Sequence, residues 1–334
     1  MIKRLFATGL ICLLFHNSII AQTDKTKPLG LNLETVQYPF PVGYIDLNIQ
    51  GEDLKMAFMD VKPEKANGKT ILLLHGKNFN GAYFEQTARD LSANGFRVII
   101  PDQIGFGKSS KPHRIQYSFQ LLAQNTHALL DSLHITKTSV LGHSMGGMLA
   151  TRFTLMYPGM VDKLILENPI GLEDWKLLVP YQGVDDWYQA ELIQTYDKIK
   201  SYQLTFYYDN NWKPEYDKWT NMLAGWTNDI DYPLIAWNSA LTYDMIFTQP
   251  VLYEFPNIKA PTLLIIGLRD RTALGKNKAP KEIQGTLGNY PALGRLTASK
   301  IKNSKLVEID NVGHLPHIEA YPKFIEPLLK FLKE

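Results

Sequence analysis

Gly142-His143-Ser144-Met145-Gly146 sits directly after the apolar run Ser139-Val140-Leu141 and directly before a stretch with helical spacing. A serine alcohol is a weak nucleophile unless it is exposed, served by a base and placed beside donors for a developing oxyanion. A tight strand-to-helix turn exposes it, and glycines on either side let neighbouring backbone pass close. The same turn puts the N–H of Met145 at a helix start, where the helix dipole favours negative charge. Ser144 is therefore the candidate nucleophile, and Met145 a candidate oxyanion donor.

Three other strand ends carry residues suited to the same chemistry. Leu74-His75-Gly76-Lys77-Asn78 follows an early apolar run. Acyl transfer needs a second backbone donor, and the N–H of Lys77 or Asn78 is placed to supply it. His75 is read as a structural residue that holds this loop by hydrogen bonds. His314 follows Val307-Glu308-Ile309 on a loop able to reach back over a sheet, and it is the expected base for Ser144. His317 is its understudy. Asp270, in Gly267-Leu268-Arg269-Asp270, follows the preceding strand, where a carboxylate would fix the imidazole tautomer. Asp174 and Asp310 are the alternative acids. Pro101-Asp102-Gln103-Ile104-Gly105-Phe106-Gly107-Lys108-Ser109 has only two of the glycines of a phosphate loop and no following helix at the right distance, and it reads as a rigid turn.

These positions need a scaffold, and the pattern around them supplies one. Val42–Gln50 and Leu54–Val61 read as strands about a turn at Gly51-Glu52-Asp53. Thr70–Leu74 is a short continuous apolar run, as expected for a strand covered on both faces, and Phe96–Ile100, Thr138–Leu141, Leu164–Glu167, Pro261–Ile266 and Lys305–Ile309 read as further strands of the same series. Helical spacing lies between them: Ala82–Asn94 before the stop residue Gly95, Phe119–Leu133, Met145–Tyr157, and a final helix from Pro322. Alternating strands and helices imply a mainly parallel sheet with helices on both faces, whose reactive groups gather at the carboxyl ends of the strands. The alternation lapses between residues 170 and 257, a stretch rich in Trp and Tyr.

The chain resembles the α/β-hydrolase family through His75-Gly76, Asp102-x-x-Gly105-x-Gly107-x-Ser109, Gly142–Gly147, Gly267-x-x-Asp270 and Gly313-His314, in that order. The resemblance implies an eight-stranded, mainly parallel sheet flanked by helices. It assigns residues 42–169 and 258–334 to that core and 170–257 to a helical cap. An aromatic cap implies an apolar pocket, with Trp175, Trp187 and Trp237 as candidate substrate-binding residues. The family's dehalogenases and epoxide hydrolases use aspartate where Ser144 stands, so those chemistries are disfavoured. The expectation is a cofactor-free, metal-free serine hydrolase acting on a small, fairly apolar ester. The rival readings are a carbon–carbon hydrolase of a diketone-like acid and a ligand-binding protein on the same scaffold. Arg271–Ser304 is longer than the family's usual link and reads as a surface excursion at the pocket mouth.

The first residues differ in kind from the rest. Lys3 and Arg4 precede an apolar run from Leu5 to Phe15, and Ala21 then leads into a polar stretch. This is the form of a secretory signal peptide cleaved near Ala21, too short for a comfortable membrane span. The predicted destination is the periplasm or the exterior, with no stable membrane insertion after cleavage, and residues 22–41 form an arm. The one cysteine, Cys12, falls within the leader, so the mature chain would have no disulfides and no thiol chemistry. Loss of Lys3 and Arg4 takes the balance from 35 basic against 33 acidic residues to 33 against 33. A neutral chain gives no electrostatic reason to bind nucleic acid, and the expected partner is a small-molecule substrate.

Overall fold

Leu72, Leu73 and Leu74 have no solvent exposure on either face of their strand, so this run lies in the middle of a covered sheet. Each such side chain contributes roughly 1.5–3 kcal/mol of burial. The computed structural model describes residues 27–334, and the leader predicted at 1–21, with Cys12, lies outside them. The strands are β1 (Val42–Ile49), β2 (Glu52–Val61), β3 (Thr70–Leu74), β4 (Arg97–Pro101), β5 (Thr138–His143), β6 (Val161–Glu167), β7 (Thr262–Gly267) and β8 (Ser304–Ile309). They form one sheet in the order β1-β2-β4-β3-β5-β6-β7-β8. β1 and β2 run antiparallel, as do β2 and β4, and every other pairing is parallel. This is the eight-stranded, mainly parallel sheet that the sequence predicts.

The parallel strands are joined by helices that pack on the two faces. α1 (Glu85–Ala93) ends at Asn94-Gly95, where Gly95 adopts a positive φ, and α2 (Phe119–Ser132) begins at Ser118, whose hydroxyl accepts from the Leu121 N–H. α3 (Met145–Met156) starts immediately after Ser144. Between β6 and β7 the chain leaves the sheet through α4 (Val184–Leu192), α5 (Tyr196–Tyr202), α6 (Asp217–Thr227) and α7 (Tyr232–Thr248). α8 (Lys281–Gln284) and α9 (Tyr290–Lys300) follow β7, and α10 (Pro316–Glu319) and α11 (Tyr321–Lys333) close the chain.

The Arg271–Ser304 segment is therefore the crossover that a parallel β7–β8 pair requires, with α9 packed on both strands. The arm is equally tied down. Leu33 is fully buried, the Trp226 indole donates to the Gly30 carbonyl at 3.0 Å, and the Tyr38 hydroxyl donates to Asp102 at 2.7 Å. The arm thus bridges α6 of the insertion to the turn after β4.

Candidate active site

The end of β5 sets the geometry. Ser144 has φ 56° and ψ −122°, a conformation that a non-glycine residue holds only where its surroundings impose it. Those surroundings are tight. A Cβ on Gly146 would lie 2.0 Å from the Leu74 carbonyl oxygen, so only glycine lets α3 start this close to β3. The Ser144 Oγ lies 3.0 Å from His314 Nε2, and His314 Nδ1 lies 2.6 Å from Asp270 Oδ2. His314 and Asp270 are buried, and Ser144 is nearly so. With Asp270 accepting from the Nδ1–H, the Nε2 lone pair is left facing the serine hydroxyl.

The structure thus brings Ser144, His314 and Asp270 together and leaves the alternatives elsewhere. Asp174 accepts from the Lys176 N–H and the Tyr253 hydroxyl, and Asp310 is exposed. His317 points its Nδ1 at Glu167 Oε1, 2.8 Å away. His75 holds the first loop, its Nε2 accepting from the Gln103 N–H at 3.0 Å. Asp102 stitches the following turn by accepting from the N–H groups of Gly81 and Lys108, each at 2.7 Å.

The loop after β3 lies against the serine: a Cβ on Gly76 would sit 3.0 Å from the Ser144 Cβ. The Phe79 N–H closes a turn onto the Gly76 carbonyl at 3.2 Å. Among the described residues, the N–H groups of Lys77, Asn78 and Met145 donate to no protein acceptor. They are the donors that an oxyanion beside Ser144 would meet. The Asn78 amide itself is turned away, donating to the Tyr207 hydroxyl at 3.0 Å.

Several positioning residues are absent from the sequence reading. Asn168 donates from its amide to Asp270 Oδ2 at 2.9 Å and accepts from the Gly267 N–H at 2.8 Å. Glu167 accepts from both the backbone N–H and the ring of His317, which pins the loop carrying His314. His143 accepts the Tyr83 hydroxyl proton at Nδ1 (2.9 Å) and donates from Nε2 to the His314 carbonyl (2.7 Å). Burial first, then the neighbouring His314 and His317, hold the His143 pKa well below the usual histidine value, consistent with a neutral ring in this chain of bonds. Tyr207, from the insertion, stacks on His314 with ring centroids 4.9 Å apart. The one available signal is the polar pair Glu167 and Asn168 directly after the apolar run Leu164–Leu166 of β6.

A cavity of about 270 Å³ opens from Lys77 and Asn78 into the insertion. Trp175, Trp187 and Trp237, the residues expected to bind substrate, do not line this cavity. Trp175 is buried in the main core, Trp187 stacks on the Tyr243 ring at 4.5 Å, and Trp237 donates to the His113 carbonyl. Trp226, Tyr202, Tyr232 and Tyr243 supply the aromatic walls instead. Nor does any residue of Arg271–Ser304 reach the lining. That segment packs beside Glu173, whose carboxylate accepts from the Gly288 N–H at 2.9 Å.

Comparison with known proteins points the same way. Residues 69–321 match the family described as alpha/beta hydrolase fold. Lipase 3 of Moraxella sp. (strain TA144) is 31% identical over 319 residues, covering 92% of this chain and 91% of the relative. Lipase 1 of Psychrobacter immobilis is 26% identical over 318 residues, with coverage of 92% and 91%. The crystal structure of a probable hydrolytic enzyme from Pseudomonas aeruginosa PAO1 superposes with a TM-score of 0.91 at 52% identity, covering 92% of this chain and 99% of that one.

Proposed function

Because the chain belongs to the α/β-hydrolase fold family, we propose that Ser144, His314 and Asp270 are its catalytic triad and that it cleaves a small, fairly apolar carboxylic ester. The lipase relatives support the ester as the substrate class. The observation that carries the reading is the unbroken hydrogen-bonded series from Ser144 Oγ through the His314 ring to Asp270, built on a strained serine backbone.

The proposed steps use this geometry. Ser144 Oγ attacks the ester carbonyl carbon as His314 Nε2 takes its proton. The carbonyl oxygen becomes an oxyanion, held by the N–H of Met145 and that of Lys77 or Asn78. Asp270 stabilises the imidazolium and keeps the ring in register. Collapse breaks the bond to the leaving oxygen, which receives the proton from His314, and leaves an acyl group on Ser144. Water, deprotonated by His314, attacks that acyl carbon. The carboxylic acid departs, and the proton returns to Ser144 Oγ.

Labelling with a fluorophosphonate probe tests this directly. The wild type is expected to label, and Ser144→Ala to lose labelling together with ester turnover, by on the order of 10⁴-fold or more in kcat. A folded wild type that does not label would sink the reading.

A further inference from the structure

Lys77 follows Gly76, which lies against Ser144, and it lines the cavity. There the ammonium donates to Ser239 Oγ at 2.6 Å and lies 3.4 Å from the centroid of the Tyr243 ring. Ser239 passes the bond on to Glu191 Oε2 at 2.9 Å. An ammonium carries three donors, and Ser239 is its one hydrogen-bond acceptor among the described residues. Burying such a group is costly without a direct counter-ion, and Glu191 compensates only through the intervening hydroxyl. Lys198 also lines the cavity, so the charged side chains around it are two cations and one carboxylate, set among apolar walls.

A staple between core and insertion would not by itself require a lysine: two neutral partners would join α7 to the loop after β3 without burying a charge. The ammonium, with donor capacity left over beside the cavity, matches an anionic acceptor. We propose that Lys77 recognises a carboxylate at the far end of the acyl group, so that the preferred substrates are half-esters of short dicarboxylic acids. This rests on Ser144 as the nucleophile. It adds the recognition of a second, unreacting carboxylate one lysine side chain's length from the oxyanion donors.

The experiment compares 4-nitrophenyl half-esters of dicarboxylic acids with neutral 4-nitrophenyl esters of equal chain length. In the wild type kcat/KM should favour the half-ester by about tenfold or more, the usual scale of a charge-assisted hydrogen bond. Lys77→Met and Lys77→Gln should each bring that ratio to about one, beyond any common loss of activity or melting temperature. The wild-type ratio should also fall as pH rises through about 8, because burial lowers the Lys77 pKa to about 8 against the pull of Glu191. Of the groups packed around it, Tyr202 of α5 is held at about 12 and Tyr243 of α7 well above 10 by burial, so neither phenol changes charge there. Glu191 of α4, Ser239 of α7 and Lys198 of α5 also line the cavity, as does Tyr232 of α7, whose pKa burial raises well above 10.

A wild-type ratio at or below one, with the neutral ester turned over, overturns the proposal and leaves the esterase reading standing. A ratio unchanged in both variants also overturns it, leaving Lys77 as a structural staple. If neither ester is hydrolysed and no probe labels, the serine-hydrolase reading fails and this proposal falls with it.

Discussion

At the scale of single residues, Asp270, the proposed acid, is held by a neighbour that carries no charge. Asn168 holds Asp270 through its amide and the end of β7 through its carbonyl oxygen, in a backbone conformation with φ 35°. Asparagine tolerates positive φ better than most residues. Asn168→Asp keeps the size and the acceptor for Gly267 but sets a carboxylate against Asp270. Its kcat is expected to fall roughly 10- to 100-fold, the scale of a small misplacement in a catalytic group. The rate of fluorophosphonate labelling should slow in proportion. Full activity in this variant would show that Asp270 is held without Asn168.

At the scale of elements, the loop carrying His314 is gripped from two sides. The core side is the pairing of Glu167 with His317, and the insertion side is Tyr207, whose carbonyl accepts from the His314 N–H at 3.4 Å. Gly313 makes the second grip possible, since a Cβ there would lie 2.0 Å from the Tyr207 oxygen. Gly313→Ala must push the loop and the insertion apart. A loss of about 1–3 kcal/mol is expected in urea unfolding, together with slower ester turnover. An alanine variant with unchanged midpoint and rate would mean that the contact between insertion and loop is not needed.

For the whole molecule, buried neutral histidines make stability depend on pH. Burial lowers the pKa of His75, and burial together with His314 and His317 lowers that of His143, whereas an unfolded chain returns both toward 6.5. Below that value the unfolded chain binds protons that the native state refuses, so stability falls as pH drops. The melting temperature should decline from about pH 7 to about pH 5, and His143→Gln should flatten the slope. A flat profile in the wild type would contradict this account. Export is proposed on the leader alone: N-terminal sequencing of protein recovered outside the cytoplasm should begin at Gln22, and a chain still starting at Met1 would refute cleavage after Ala21.

What the sequence by itself determined is local in origin. The turn at Gly142–Gly146 is legible because strand, glycines, serine and helix are contiguous, and the strands are legible because runs such as Thr70–Leu74 are apolar without a break. His314 and Asp270 could be named because each lies just past a predicted strand. Only the tertiary structure decided what depends on packing between distant segments. Asn168 meets Asp270 across 102 positions through the register of β6 on β7, and the Lys77–Ser239 bond spans 162. Composition marked residues 170–257 as aromatic, but which rings face the cavity depends on how α4 to α7 pack. Trp187 spends its face on Tyr243 while Trp226 and three tyrosines line the space. A tryptophan is equally apolar in a helix core or on a pocket wall, so its identity does not say which surface it covers.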